Sequence, residues 1–297
     1  MTFAIRPALE WTLRTRTLAL GARTLVMGVL NVTPDSFSDG GQFFSPERAV
    51  AHALRMLDEG ADILDLGGES TRPGDRAPVS AQQEQDRILP VMEAVLRARP
   101  GTIVSIDTYK AATARAAIFA GAEIVNDVSG FLWDQEMAAA CAELACGVVL
   151  MHTRGRPNEW RSLPPIPAKD AAAVVREDLA KRIRAARKAG IAEERIVIDP
   201  GFGFGKAFDA NYPLLAQLSE LQSLGLPILA GVSRKSFLSR TLAPLRGGAE
   251  IPPEQRVNAT IAASTACILA GSHIVRVHDV RPMAEAAAIA DAILANS

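Results

Sequence analysis

IVSIDTYKAATARAAIFAGAEIVN, residues 103–126, shows the pattern that decides the fold of this chain. Two apolar runs of strand length, residues 103–107 and 123–126, flank a segment that is rich in alanine and helical in character. This alternation predicts a βαβ unit, in which a helix connects two parallel strands. The runs are apolar at nearly every position, as expected for strands that are buried on both faces.

The same alternation extends along the chain in both directions and predicts eight strands in all. The other six are residues 25–31, 62–66, 148–151, 196–199, 228–231 and 274–277. Apolar residues recur at helical spacing in the segments that follow strands, such as residues 46–59, 81–97, 171–189 and 282–294. Eight strand and helix pairs predict an α/β fold, the (β/α)8 TIM barrel. A doubly wound open sheet is the alternative, since alternation alone does not close a sheet.

The eight units have similar lengths, and no change of composition or Pro/Ser-rich linker separates them. We therefore predict a single domain over residues 1–297. Thr, Leu and Arg alternate in residues 11–22, so the extension formed by residues 1–22 is predicted to be a hairpin that covers the amino-terminal face of the barrel. Long irregular stretches at residues 32–45, 67–80 and 153–169 follow strands, which places them on the catalytic face of a barrel.

The composition excludes several classes of protein. Hydrophobic residues make up 48% and charged residues 22% of the chain, as expected for a globular protein and not for a disordered one. Lys and Arg (32) nearly balance Asp and Glu (33), so neither nucleic acid nor a membrane surface is an expected partner. Cys141, Cys146 and Cys267 have no metal-ligand spacing and are predicted to be reduced core thiols. Because the first residues contain no signal-peptide pattern, we predict a cytoplasmic location.

Polar side chains stand where the predicted strands end. Each alone is more often the N-cap of the next helix than a functional residue. Because the carboxyl ends of barrel strands meet in one cleft, the set together predicts a binding site. Carboxylates and amides accept and donate paired hydrogen bonds, so the set suits a flat heterocycle. The residues are Asn31, Asp65, Asp107, Asn126, Asp199, Arg276 and His278.

Two further motifs point to the same cleft. DPGFGFGK, residues 199–206, lacks the spacing of a phosphate-binding loop and is interpreted as a glycine-rich pocket wall. Lys235 follows Gly231 and Ser233, and it either enters the pocket or is a solvated surface lysine.

Arg276 and His278 are two residues apart on one strand, so their side chains leave the same face. This pair suits a phosphate, and the helix predicted to begin near residues 279–282 would add its amides. His52 and His273 lack such a context and are predicted to be structural.

These motifs carry a resemblance to a known family. MGVLNVTPDSFSDGG (27–41) and DLGGESTRPG (65–74) resemble the two signature loops of the dihydropteroate synthases. SIDTYK (105–110), NDVSG (126–130), DPGFGFGK, SRK (233–235) and RVH (276–278) match the remaining family motifs in order. The resemblance covers nearly the full chain after the predicted hairpin.

The resemblance implies an activity and a set of site residues. The reaction joins 6-hydroxymethyl-7,8-dihydropterin diphosphate to 4-aminobenzoate with release of pyrophosphate, by a dissociative, Mg2+-assisted route in a homodimer. The implied pterin contacts are Asp107, Asn126, Asp199, Gly231 and Lys235, with Met151 and Phe202 lining the slot. The implied diphosphate contacts are Asn31, which also reaches Mg2+, with Thr71, Arg72, Arg276 and His278, while Asp65 organises the loops. The implied 4-aminobenzoate contacts are Phe37, Pro73, Ser233 and Lys235.

One departure from the family pattern is visible, and two other readings stay open. MHTRG (151–155) stands where the family usually has MHMQG, so Arg154 is expected to alter loop packing or substrate electrostatics modestly. A methyltetrahydrofolate–corrinoid methyltransferase would share the pterin contacts but would not need the two loops or the Arg276–His278 pair. A catalytically silent pterin-binding paralogue is the second alternative.

Overall fold

The computed structural model describes residue 3 and residues 5–33, 45–69, 79–160 and 162–297. The strands are β1 (Leu9–Thr12), β2 (Thr17–Leu20), β3 (Leu25–Asn31), β4 (Ile63–Gly67), β5 (Ile103–Asp107), β6 (Ile124–Asp127), β7 (Gly147–Met151), β8 (Ile196–Asp199), β9 (Leu229–Ala230) and β10 (Ile274–Val277). The α-helices are α1 (Pro46–Asp58), α2 (Ala81–Ala98), α3 (Ala111–Phe119), α4 (Met137–Leu144), α5 (Ala171–Lys188), α6 (Phe208–Ala216), α7 (Ser236–Leu242), α8 (Val257–Leu269) and α9 (Val280–Leu294).

Strands β3 to β10 form one parallel sheet in the order β8-β7-β6-β5-β4-β3-β10-β9. The sheet closes on itself because Ile198 of β8 bridges Ile228, just before β9, and its amide donates to the carbonyl of Pro227 at 3.0 Å. The predicted TIM barrel is therefore confirmed, and the open-sheet alternative is wrong.

The strand and helix boundaries differ from the predicted ones mostly by one or two residues. Strand β9 is shorter than the predicted residues 228–231 for a physical reason. The amide of Ile228 donates to the Nδ1 atom of His273 at 3.2 Å, and after Ala230 the chain turns, with the amide of Lys235 donating to the carbonyl of Val232.

The predicted hairpin begins at Leu9, two residues before the predicted start, and pairs as antiparallel β1 and β2. Its Trp11 and Leu13 are buried in a cluster with inward-facing strand residues such as Ile63 and Val197, which fills the amino-terminal end of the barrel. The indole of Trp11 donates to the carbonyl of Arg195 at 3.0 Å. Gly147 permits this packing, because a Cβ there would lie 2.7 Å from Leu13 Cδ2.

A second, larger core fills the layer between the strands and the outer helices. Cys141, Cys146 and Cys267 are buried free thiols, as predicted. His273 is also structural: its ring receives the Ile228 amide and its Nε2 atom lies 3.0 Å from the carbonyl of Pro7. None of the helices that the structure describes has the length and apolar character needed to cross a membrane.

Candidate functional site

A cavity of about 480 Å³ opens at the carboxyl ends of the barrel strands. The predicted site residues that line it are Asn31, Asp107, Asn126, Met151, Asp199, Gly231, Ser233, Lys235, Arg276 and His278. These residues come from seven different strand ends, and only barrel closure brings them together.

The floor of the cavity is a network of charged groups centred on Arg276. Its Nε atom donates to Asp65 Oδ2 and its Nη2 atom to Asp107 Oδ2, both at 2.6 Å. Asn126 Nδ2 donates to the same Asp65 oxygen at 3.0 Å. Asp65 is fully buried beneath these groups, so it braces the floor and does not line the cavity.

Burial and charge act in opposite directions on this network. Burial raises the pKa of Asp107 to about 7, although the Arg276 guanidinium pulls it down. Burial lowers the pKa of Arg276, but the nearby carboxylates of Asp65 and Asp107 raise it by more, so this pKa lies above its ordinary value. The floor therefore holds a permanent cation next to a carboxyl group that titrates near neutrality.

The glycine-rich turn that follows Asp199 orients its carboxylate. Its Oδ1 atom accepts the amide of Gly201 at 2.6 Å, and burial raises the pKa of its carboxyl. Gly201 has φ +63°, and a Cβ there would lie 1.9 Å from the carbonyl of His152, so only glycine fits. Lys206 fixes the turn from below, since its ammonium donates to the carbonyl of Gly201 at 2.6 Å.

The wall beyond this turn is aromatic and cationic. The ammonium of Lys235 lies 3.9 Å from the ring centroid of Phe204, a cation–π contact. Trp160 packs edge-on against the same ring, with centroids 5.2 Å apart. Lys235 therefore belongs to the cavity and is not a solvated surface lysine.

Ser233 and His278 contact each other in the cavity lining. The Ser233 hydroxyl lies 2.9 Å from His278 Nδ1 and accepts the His278 amide at 3.2 Å. Asn31 and His278 also line an adjoining groove between α1 and α9 whose side chains include the basic residues Arg55 and Arg281. The charged lining of this groove is mixed: Arg55, Arg234 and Arg281 lie beside Glu59 and Asp279, which leaves one net positive charge.

One residue predicted for the site does not line the cavity. Phe202, predicted to line the pterin slot, is completely buried and packs on Phe237, with ring centroids 6.4 Å apart. Phe204, two residues later, lines the cavity instead. The turn held by Gly201 and Lys206 directs Phe202 into the protein interior and Phe204 into the cavity. The repeat Gly-Phe-Gly-Phe does not indicate which of the two rings faces the cavity.

Other cavity residues were not predicted from the sequence. Glu69, Trp160 and Arg256 line the cavity from three different loops. Glu69 follows directly after the predicted strand end Asp65-Leu-Gly-Gly, so its place in that motif was a signal that could have found it. Trp160 and Arg256 lie far from any strand end, and no local pattern marks them. Phe37, Thr71, Arg72 and Pro73 lie outside the described residues.

Arg154, the departure from the family pattern, points toward the backbone. Its Nη1 atom donates to the carbonyls of Pro164 at 2.9 Å and Gly205 at 3.3 Å. The side chain thereby ties the loop after β7 to the glycine-rich turn, which favours an effect on loop packing.

The residues around the cavity fit a Mg2+ ion only if a bound diphosphate supplies most of the oxygen atoms that coordinate it. The described residues hold no group of three or more Asp, Glu, His or Cys suited to a metal ion. Asn31 offers one neutral amide oxygen at the cavity edge. A Mg2+ ion that is bound mainly by diphosphate and water needs few protein ligands, so this donor set fits such an ion.

Comparisons with known proteins agree with this geometry. The family model described as "Pterin binding enzyme" matches residues 27–278. The dihydropteroate synthase of Bacillus subtilis is 42% identical over 277 residues, covering 93% of this chain and 91% of that protein. The dihydropteroate synthase of Mycobacterium leprae is 46% identical over 269 residues, covering 91% and 93%.

Solved structures give the same result. Xanthomonas albilineans dihydropteroate synthase with 4-aminobenzoic acid superposes with a TM-score of 0.86 at 42% identity, covering 97% of this chain and 99% of that one. The same enzyme in complex with 7,8-dihydropteroate gives 0.82 at 41% identity, covering 96% and 99%. By family model, sequence and fold, this chain belongs to the pterin-binding enzymes, among the dihydropteroate synthases.

Proposed function

We propose that this chain condenses 6-hydroxymethyl-7,8-dihydropterin diphosphate with 4-aminobenzoate, giving 7,8-dihydropteroate and pyrophosphate. The observation that carries the proposal is the convergence of Asp107, Asn126, Asp199 and Lys235 on one cavity whose floor is the Asp65–Arg276–Asp107 network. Relatives with this activity match over the whole barrel, and related structures hold 4-aminobenzoic acid and 7,8-dihydropteroate.

The pterin ring is held by the deepest polar groups. Asp199 accepts ring N–H groups, and its orientation is set by the bond from the Gly201 amide. Asn126 is oriented by its donation to Asp65, so its carbonyl oxygen serves as an acceptor for the ring. Met151 and Phe204 supply apolar contact from neighbouring strand ends.

The diphosphate lies on the side of Asn31, Arg276 and His278, where the cavity joins the groove between α1 and α9. Mg2+, held by Asn31 and the diphosphate, would supply charge stabilisation for the leaving pyrophosphate. His278 is held by Ser233, and Arg276 by two carboxylates, so both are preorganised donors.

The reaction is proposed to be dissociative. The carbon–oxygen bond breaks first, its electron pair leaves with pyrophosphate, and positive charge develops on the pterin methylene carbon. Asp107, in its carboxylate form, stabilises that charge. The amine nitrogen of 4-aminobenzoate then forms the new bond to the methylene carbon and releases a proton to solvent. Ser233 and Lys235 are the described residues proposed to contact this second substrate, with Phe37 and Pro73 as further proposed contacts.

Release of pyrophosphate with both substrates and Mg2+ present tests the proposal. We expect turnover that depends on 4-aminobenzoate, with 7,8-dihydropteroate formed in equal amount. A chain that binds pterin without release would be the silent paralogue. Methyl transfer from methyltetrahydrofolate to a corrinoid protein would identify the methyltransferase alternative.

Three further properties are proposed. A single domain over residues 1–297, with residues 1–22 as its extension, is supported by the hairpin, which packs into the amino-terminal end of the barrel. A homodimer is supported by Ile289 and Ile293 of α9, two apolar residues that are 66% and 41% exposed. Light scattering of the purified chain measures its oligomeric state. A cytoplasmic location stays a prediction.

A further inference from the structure

Arg234, between two proposed substrate contacts, has an unusual backbone conformation. Its φ is +58°, in the left-handed region that residues with a Cβ rarely adopt. Such a conformation persists only where the surrounding structure holds it. Because the chain turns at Arg234, the Ser233 hydroxyl meets His278 while the Lys235 ammonium reaches the ring of Phe204.

Contacts from outside the turn hold both peptide groups of Arg234. Its amide donates to the hydroxyl of Thr260 at 3.0 Å, and its carbonyl accepts the Nη1 atom of Arg256 at 2.7 Å. The guanidinium of Arg234 itself pairs with Asp279 through two bonds of 3.0 and 2.7 Å.

Arg256 is suited to this contact by its burial and its shape. Arg256 is only 5% exposed, and its Nε atom donates to the carbonyl of Ile251 at 2.7 Å. Its rigid guanidinium therefore joins the turn at Arg234 to the segment before α8. A lysine ammonium, on a flexible stem, would not hold both carbonyls in the same fork geometry.

We infer that Arg256 is a positioning residue, which keeps Arg234 in the left-handed conformation so that Ser233 and Lys235 face the cavity. The inference rests on the proposed function for the roles of Ser233 and Lys235. The alternatives are that Arg256 only tethers the segment at Ile251, or that it acts directly from the cavity lining. In either case the conformation of Arg234 would be immaterial to activity, and Arg256→Met would cause the same loss whatever residue stands at 234.

A comparison of backgrounds separates the inference from these alternatives. Arg256→Met is made in the wild-type chain, in Arg234→Gly and in Arg234→Ala. Glycine adopts the left-handed region freely, whereas alanine keeps the Cβ and lacks the guanidinium just as glycine does. The two backgrounds therefore differ mainly in the backbone preference of residue 234.

We expect Arg256→Met to lower kcat/KM for 4-aminobenzoate about tenfold to a hundredfold in the wild-type and Arg234→Ala chains, the scale of a displaced binding group. In the Arg234→Gly chain the same substitution should lower it about threefold or less, because the turn no longer needs to be held. Equal losses in all three backgrounds would overturn the inference, as would an unchanged kcat/KM in Arg256→Met. If Arg256→Met does not fold, Arg256→Lys replaces it with the same expectations.

Amide hydrogen exchange measures how firmly the turn at Arg234 is held, and it does not depend on catalysis. Exchange in the peptide spanning residues 232–238 should be faster in Arg256→Met than in wild type, and wild-type-like protection there would contradict the inference. A wild-type chain that releases no pyrophosphate would refute the proposed function alone, since the exchange experiment still tests the role of Arg256.

Discussion

At the residue scale, the carboxylate of Asp199 is the group that the proposed function ties most directly to pterin recognition. Asp199→Asn keeps the shape of the side chain and an acceptor for the Gly201 amide. An amide, however, accepts ring N–H bonds more weakly than a carboxylate does. We expect pterin affinity to fall at least about tenfold and stability to change by less than about 1 kcal/mol. Calorimetric titration with a pterin and thermal melting measure the two, and unchanged affinity would remove Asp199 from the pterin site.

Arg276 is proposed to bind the diphosphate, and in the fold it pairs with Asp65 and Asp107. For Arg276→Ala we expect roughly a hundredfold or greater loss of turnover, the scale of removing a preorganised donor. The structure adds a stability effect, because Asp65 would be left fully buried without its cation, at about 3–5 kcal/mol. Denaturant unfolding and pyrophosphate release measure both quantities.

Arg276→Lys is the matched control, since it retains the charge but cannot donate in a fork to two carboxylates. It should be more stable than Arg276→Ala while its turnover is still reduced. Near-normal turnover in either variant would contradict the proposed contact with the diphosphate.

The pKa of Asp107 predicts how activity depends on pH. Burial raises this pKa to about 7, and the proposed mechanism needs the carboxylate form. As pH falls below about 7, more of the free enzyme carries a protonated Asp107, so kcat/KM for the pterin diphosphate should fall. A pH profile of kcat/KM from about 5.5 to 8.5 checks this. A flat profile over that range would mean that protonation of Asp107 does not limit the reaction.

At the element scale, the turn between β8 and α6 assigns different roles to two phenylalanines that are two residues apart. Phe204→Leu should weaken substrate binding with little effect on stability, because the Phe204 ring lines the cavity and makes the cation–π contact with Lys235. Phe202→Leu is the matched control, and it should lower the free energy of unfolding by about 1 kcal/mol or more with smaller effects on KM. KM values and unfolding curves for both variants measure this. The opposite pattern would restore Phe202 to the pocket.

At the scale of the whole molecule, His273 connects the barrel to the N-terminal segment, and burial lowers its pKa to about 4. An unfolded histidine binds its proton near pH 6.5, so between about 6.5 and 4 the unfolded state holds more protons than the folded state. Stability from this group is therefore complete above about pH 6.5 and is lost as pH falls.

His273→Gln, whose amide can replace both ring contacts, should flatten the loss of stability over this pH range. The comparison of the two proteins matters, because buried His152, with a pKa lowered to about 3, contributes a similar slope to both. Denaturant unfolding at several pH values measures the slopes. Identical slopes would show that His273 does not couple acid to unfolding.

Several features could be predicted from the sequence because they are local. Burial on both faces makes barrel strands continuously apolar, so the runs ending at Asp107 and Asp199 were visible as strands. Parallel strands must point their carboxyl ends to one face, so the polar residues that follow them were predicted to converge, and all of them except Asp65 line one cavity. The motif resemblance supplied the proposed chemistry of that cavity.

The tertiary structure decided everything that depends on contacts between distant residues. It placed Phe204 and not Phe202 in the cavity, put Asp65 beneath the floor, and turned Arg234 left-handed under Arg256. Strand and helix periods fix the direction of a side chain only within a regular element. In a turn or loop that direction is set by whichever partner packs against it, and those partners lie tens of residues away in the chain.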